Sequence, residues 1–288
     1  MSSSYENINY MNIADNRALN KLNKLYKNNQ IHRENLTTLY YLIKDIGPKD
    51  NHHGTTHALW VTYNSMKLLL IALEKYPTDI TYVYLNGKSR ILQAITMLHD
   101  VLDDKYTEKI DKKSIDNKRR KITNCLQNLN FTEDEIGIIE EIISFKKIYS
   151  ENNTIFSEPN REIKKLIHEW VSMADMIECM GLNGTIRCWK CIDDFGSIIY
   201  ENRNLHSDMD YLDEVIKYYD EKLLKIYTNY ISKDFIKDIV KPLHVEMLDF
   251  YNEYHSGDEG KLGCIEKIKT LLRAELYLPS LEKILDRY

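Results

Sequence analysis

The sequence predicts an all-α protein, and three observations carry that expectation. Only ten Gly and five Pro are spread over 288 residues, so the chain is poor in the residues that make tight turns. Apolar residues recur at three- and four-residue spacing through most of its length. Almost no stretch alternates apolar and polar side chains as a half-buried strand does.

The elements follow in order. The segment 1–30 is polar and rich in Asn, and reads as a tail followed by a short helix over 16–28. Residues 33–45 carry helical spacing and stop at Gly47-Pro48. Residues 55–76 begin at Thr55 and Thr56, good caps, and run through Leu59, Tyr63, Met66, Leu69 and Leu70. Helices are then expected over 88–102, 112–128 and 133–149. The last of these opens with Thr132 and Glu135, the pairing of a capping box. A polar loop at 150–159 separates them from a helix over 161–181. A short helix at 184–192, a loop at 194–208 and a long helix at 209–230 follow. The helix expected over 233–254 is interrupted or restarted at Pro242. After a turn at 255–260 come helices over 262–276 and 280–286. The domain reading is a partly helical N-terminal extension (1–45), one domain (46–255) and a helical C-terminal extension packed on it (256–288).

Composition narrows the function. A net charge of −5 argues against a dedicated nucleic-acid binder, which needs a broad basic surface. The longest apolar run, LLLIAL at 68–73, is too short to cross a bilayer. The opening MSSSYENINYMNIADN lacks the basic and apolar regions of a signal peptide. Five cysteines without an export signal suit a reducing compartment, and the expectation is a cytoplasmic protein with free thiols. The CWKC at 188–191 has no second Cys/His pair at metal spacing and reads as ordinary helix thiols. NKRRK at 117–121 reads as a solvated helix face.

Four residues carry chemistry. His99-Asp100 ends an apolar helix, and Asp103 and Asp104 follow on a shared helical face. Such a cluster of acids repels itself unless a cation is present, and Lys105 alone does not neutralise it. His57 stands at the start of another helix, with His53 one turn before it. Asp175 sits among Val171, Met173, Ala174, Met176 and Ile177, where an isolated carboxylate is costly unless paired or metal-bound. Two imidazoles and two carboxylates on helices can hold one divalent ion, and bundles commonly place such sites between facing helices.

In this order, on helices, these residues resemble the HD-domain metal-dependent phosphohydrolases, and the flanking segments extend the resemblance. AITMLHDVLDDKY (94–106), EEIISFK (140–146), ADMIECMGLNGTIRCWKC (174–191) and YYDEKLLKIY (218–227) are similar, in family order, to segments of the bacterial branch that includes a nucleoside triphosphate pyrophosphohydrolase. The similarity covers about 46–255. It implies His57, His99, Asp100 and Asp175 as metal ligands. The ion is manganese first, with zinc, nickel, iron or magnesium also compatible with the residue types. It implies Asp103 or Asp104 as the group that orients or deprotonates water. Lys105, Lys146, Arg187 and Lys222 would lie near the substrate phosphates, and His53, by its spacing to His57, would support that ligand or face the substrate. The chain departs from the family at Trp60, Met173 and Met176, where charged residues are usual.

The function these readings imply is hydrolysis of a (deoxy)nucleoside triphosphate to monophosphate and pyrophosphate by metal-activated water. HDVLDD also resembles the corresponding segment of alarmone hydrolases, which act on 3′-pyrophosphorylated nucleotides. A nucleotide-binding module that has lost turnover is the third reading, motivated by the missing charges. The implied partner is a small nucleotide, with a homodimer compatible and neither a membrane nor a nucleic acid required.

Overall fold

Apolar residues spaced for helix fold as helix: in the computed structural model every regular element among the described residues is helical. Those residues are 4–48, 54–102, 112–144, 156–199, 207–273 and 280–288. None of their helices is long and apolar enough to cross a membrane. The chain divides into two compact units, Met1–Ala174 and Asp175–Tyr288.

In the first unit, α1 (Ser4–Leu25) and α2 (Gln30–Ile46) precede α3 (Thr55–Lys75). Then come α4 (Ile80–Gly87), α5 (Ser89–Leu98), α6 (Lys112–Asn128) and α7 (Glu133–Ile143). Most of α8 (Arg161–Glu178) completes it. Helix α3 is the spine. It packs on α1, α2, α4 and α5, and is buried on almost every side. Helix α5 lies against α3 and also meets α2, α4 and α7. The α8 side chain Trp170 donates its indole N–H to the Ser65 carbonyl at 3.3 Å and meets Tyr82 edge-on.

The helix ends have local causes. Asn29 caps α2 by accepting from the His32 N–H, and Asp79 caps α4 by accepting from the Thr81 N–H. Thr132 and Glu135 form the expected capping box of α7. Gly47 ends α2, where a Cβ would lie 2.6 Å from the Ile43 carbonyl oxygen, too close for any side chain.

The second unit holds the end of α8, then α9 (Leu182–Ile199), α10 (Asp208–Tyr218), α11 (Asp234–His255), α12 (Asp258–Arg273) and α13 (Ser280–Leu285). Two π-helical turns, Tyr219–Leu223 and Ile226–Tyr230, extend α10. Helix α9 packs on α10, α11 and α12, while α11 packs on α12 and α13. Tyr219 anchors this core, stacking on Phe250 and sharing a hydrogen bond with Thr185.

Several elements differ from the sequence expectation. Helix α1 extends over Ser4–Leu25 rather than 16–28, and among its residues of described burial Ala18 and Leu22 form an apolar stripe that Tyr26 continues. Helix α4 fills a stretch to which the sequence reading assigned no element. Helix α5 stops at Leu98, α9 continues to Ile199 into the first residues of the expected loop, and π-helical turns replace the second half of the 209–230 helix. Helix α11 passes through Pro242 unbroken. Pro242 and Asp238, the residue whose carbonyl loses its helical partner, are both exposed, so water can satisfy that carbonyl.

Candidate metal centre

His57 lies in the first turn of α3, and His99 is the C-cap residue of α5. The packing of α3 on α5 brings their rings together, with centroids 5.1 Å apart. His57 Nε2 and His99 Nε2 are 3.2 Å apart. Asp100 Oδ2 is 3.5 Å from His57 Nε2 and 3.2 Å from His99 Nε2. Among the described residues, these three form a group whose ligand atoms converge tightly enough to hold a metal. Ligands about 2.1 Å from an ion, at tetrahedral or octahedral angles, lie about 3.0–3.4 Å from one another. Two of the three separations fall within that range, and the third, 3.5 Å, lies just above it. The donor set therefore fits a small divalent ion.

The supporting contacts fix which atoms are presented. His99 Nδ1 is 2.8 Å from the Thr96 carbonyl oxygen. A carbonyl only accepts, so Nδ1 carries the proton and the neutral ring offers its Nε2 lone pair, the form a ligand requires. Thr96 also sets the register of the two helices. Its Oγ1 is 3.0 Å from Thr62 Oγ1 of α3 and donates to the Leu92 carbonyl within α5. The turn that displays Asp100 is held from α6, where the Lys118 ammonium donates to the Val101 carbonyl at 3.0 Å. His57 and His99 are buried, while the Asp100 side chain is 16% exposed and marks the side from which solvent reaches the group.

A second polar anchor lies behind His57. Asp15 of α1 is buried and accepts from Tyr40 Oη at 2.9 Å, Thr55 Oγ1 at 3.2 Å and Thr56 Oγ1 at 2.6 Å. Burial, followed by this hydrogen bond, pushes the Tyr40 phenol well above its ordinary pKa. Sequence reasoning missed Asp15 because it stands in a segment read as polar tail. The available signal was an acid three residues before Ala18, on the face of the Ala18–Leu22–Tyr26 stripe.

The other expected residues that the structure describes belong to the second unit. Asp175 is the first residue of the second unit and is half-buried. The deeply buried acid of that helix is Glu178, one turn later, which binds the buried Arg187 of α9. Arg187 also donates to Cys179 Sγ at 3.4 Å. The guanidinium expected to face phosphate is thus engaged by a carboxylate and a thiol of its own unit. Lys222 lies in the first π-helical turn, with its ammonium 5.6 Å from the Tyr218 ring centroid. Burial works against its charge, but Tyr218, Cys179 and Asp175 outweigh burial and raise its pKa. Burial pushes the Cys179 thiol up to about 11 and Cys188 further still, so these thiols are protonated at neutral pH and the cysteines are free. In the NKRRK run, Lys121 pairs with Asp45 and Lys118 reaches Val101, so only part of it is a solvated face. His53, Asp103, Asp104, Lys105 and Lys146 lie outside the described residues.

Comparison with protein-family models, with curated proteins and with solved structures finds no match.

Proposed function

We propose that the protein is a metal-dependent phosphohydrolase of nucleotides, with His57, His99 and Asp100 as protein ligands of one divalent ion. The observation that supports this reading is the convergence of two imidazole nitrogens and one carboxylate oxygen, 3.2–3.5 Å apart, from the first turn of α3 and the turn that ends α5. Two nitrogens and an oxygen make a borderline donor set, compatible with manganese, and with iron, nickel, zinc or magnesium as competitors. Bound there, the ion would supply Lewis acidity toward water and toward phosphoryl oxygens. The chain's own contribution is to present the His99 lone pair in one tautomer and to hold Asp100 on a braced turn. Asp103 or Asp104, which follow Asp100 by three and four positions, is assigned on sequence grounds to take the proton of the attacking water. Lys105 is assigned on the same grounds to the phosphate chain.

The test is enzymatic. Metal-free protein is reloaded with Mn²⁺ and offered a panel of nucleoside triphosphates beside a 3′-pyrophosphorylated nucleotide. Release of phosphate and pyrophosphate is measured. Turnover of a triphosphate that disappears in His99→Ala and Asp100→Ala is the expected result. Turnover that survives in both variants would overturn this assignment of the ligands. Preference for the 3′-pyrophosphorylated nucleotide would move the substrate class.

A further inference from the structure

We infer that Asp15 is a positioning residue for the ligand His57, acting through the first turn of α3. This inference rests on the metal reading of the His57 group. The observation behind it is a buried carboxylate, 2% exposed, that gathers three hydroxyl donors from two other helices. Two of those donors, Thr55 and Thr56, immediately precede His57.

The local need is specific. The first N–H groups of any helix lack intrahelical partners, and a side chain at the N-cap normally serves one of them. Here the N-cap is Gly54, which makes no side-chain cap. The helix therefore lacks the usual local device that fixes its entry, at the turn that carries a metal ligand. Asp15 supplies the restraint from outside. Its Oδ1 takes the Thr56 hydroxyl and its Oδ2 takes those of Thr55 and Tyr40. Its negative charge also complements the partial positive charge of the α3 N-terminus. A neutral amide of the same shape offers one acceptor oxygen in place of two and no charge. The carboxylate thus fixes the rotation of the first turn about the α3 axis, and with it where His57 Nε2 points.

The consequence concerns the N-terminal segment. Helix α1 is part of the scaffold of the metal group and not an appendage to it. Outer residues that orient ligands typically change metal affinity by about 10–100-fold when removed. Asp15→Ala is therefore expected to weaken Mn²⁺ binding at least about tenfold, at the lower edge of that range. Thr56→Val removes one donor at constant volume and gives a smaller loss. Thr56→Ser restores the hydroxyl and the affinity.

The experiment is calorimetric titration of the full-length metal-free chain with Mn²⁺, with Co²⁺ visible absorption as a report on coordination geometry. Circular dichroism and thermal melting accompany each variant. Leu85→Ala, a core truncation on α4, is the control that lowers Tm without moving Mn²⁺ affinity or the Co²⁺ bands. Weakened binding and altered Co²⁺ bands in folded Asp15→Ala, with loss in Thr56→Val and recovery in Thr56→Ser, are expected. If Asp15→Ala does not fold, the Thr56 pair decides. Wild-type affinity and unaltered bands in the folded variants overturn the role of Asp15 alone. A wild-type chain that binds neither ion overturns it together with the metal reading.

Discussion

His57 Nε2 and His99 Nε2 face each other at 3.2 Å, with Asp100 Oδ2 beside both. Nδ1 of His99 is committed to the Thr96 carbonyl, so its neutral ring turns a lone pair toward its neighbour. His57 can meet that lone pair as a neutral Nε2–H donor, or both nitrogens can turn lone pairs to a shared cation. A bound ion satisfies both nitrogens and the carboxylate at once.

On the proposed metal reading, binding of the ion stabilises the fold. A ligand that binds only the native state at a hundred times its Kd adds about 2.7 kcal/mol. Adding Mn²⁺ to metal-free protein is expected to raise Tm by several degrees, and a chelator to reverse it. Differential scanning calorimetry of wild type beside His57→Ala, His99→Ala and Asp100→Ala checks this. The wild-type shift should be absent in the first two variants and reduced in the third. An equal shift in all four proteins would place the ion elsewhere.

The buried ion pair of Glu178 and Arg187 yields a stability prediction for the second unit. Removing one partner of such a pair strands a charge and costs about 3–5 kcal/mol, whereas replacing both with apolar residues is often neutral. Arg187→Met and Glu178→Leu should each lower the urea midpoint strongly, and the double variant should recover most of the loss. Additive losses in the double variant would show that the two side chains act independently.

A smaller effect is expected at the α7 capping box. Thr132 Oγ1 accepts from the Glu135 N–H, and Glu135 returns a bond to the Thr132 N–H at 2.9 Å. Thr132→Ala should cost about 1 kcal/mol, read as a shift of the urea midpoint at constant m. Thr132→Ser should cost almost nothing.

The sequence makes the helices legible where the apolar stripe is dense and the cap is local, as at Thr132. It makes them illegible where another part of the chain supplies the reason. Helix α1 reads as a polar tail, and its key side chain, Asp15, is buried against hydroxyls distant in sequence. Pro242 looks like a break until its exposed position relieves it. In the site, His57, His99 and Asp100 are readable because a His-Asp pair and an isolated His at helix ends are unusual placements. Among apolar neighbours Asp175 stands out as the anomalous acid, yet the fold buries Glu178 more deeply. One helical turn separates them, and only the partner on α9 decides which is enclosed. The same partner explains why Arg187 is engaged within its own unit, which no local pattern around it reveals.

Buried histidines give the stability a pH dependence with a definite sign. Burial lowers the pKa of His168, and burial followed by the nearby Arg90 charge lowers that of His32. The folded state therefore keeps these rings neutral at pH values where the unfolded chain protonates them, below an ordinary His pKa of about 6.5. Where the unfolded state binds more protons, stability rises with pH. Metal-free protein should thus hold its stability above about pH 7 and lose it progressively as pH falls through 6.5 toward the depressed folded values. His32 Nε2 lies 3.1 Å from Ser89 Oγ, a contact that a Gln side chain can approximate without titrating. His32→Gln should flatten the slope between pH 7 and about 5.5, leaving the part due to other histidines. Urea midpoints across that range, measured in chelator for both proteins, test it. Parallel wild-type and variant curves would show that His32 protonates equally in the two states.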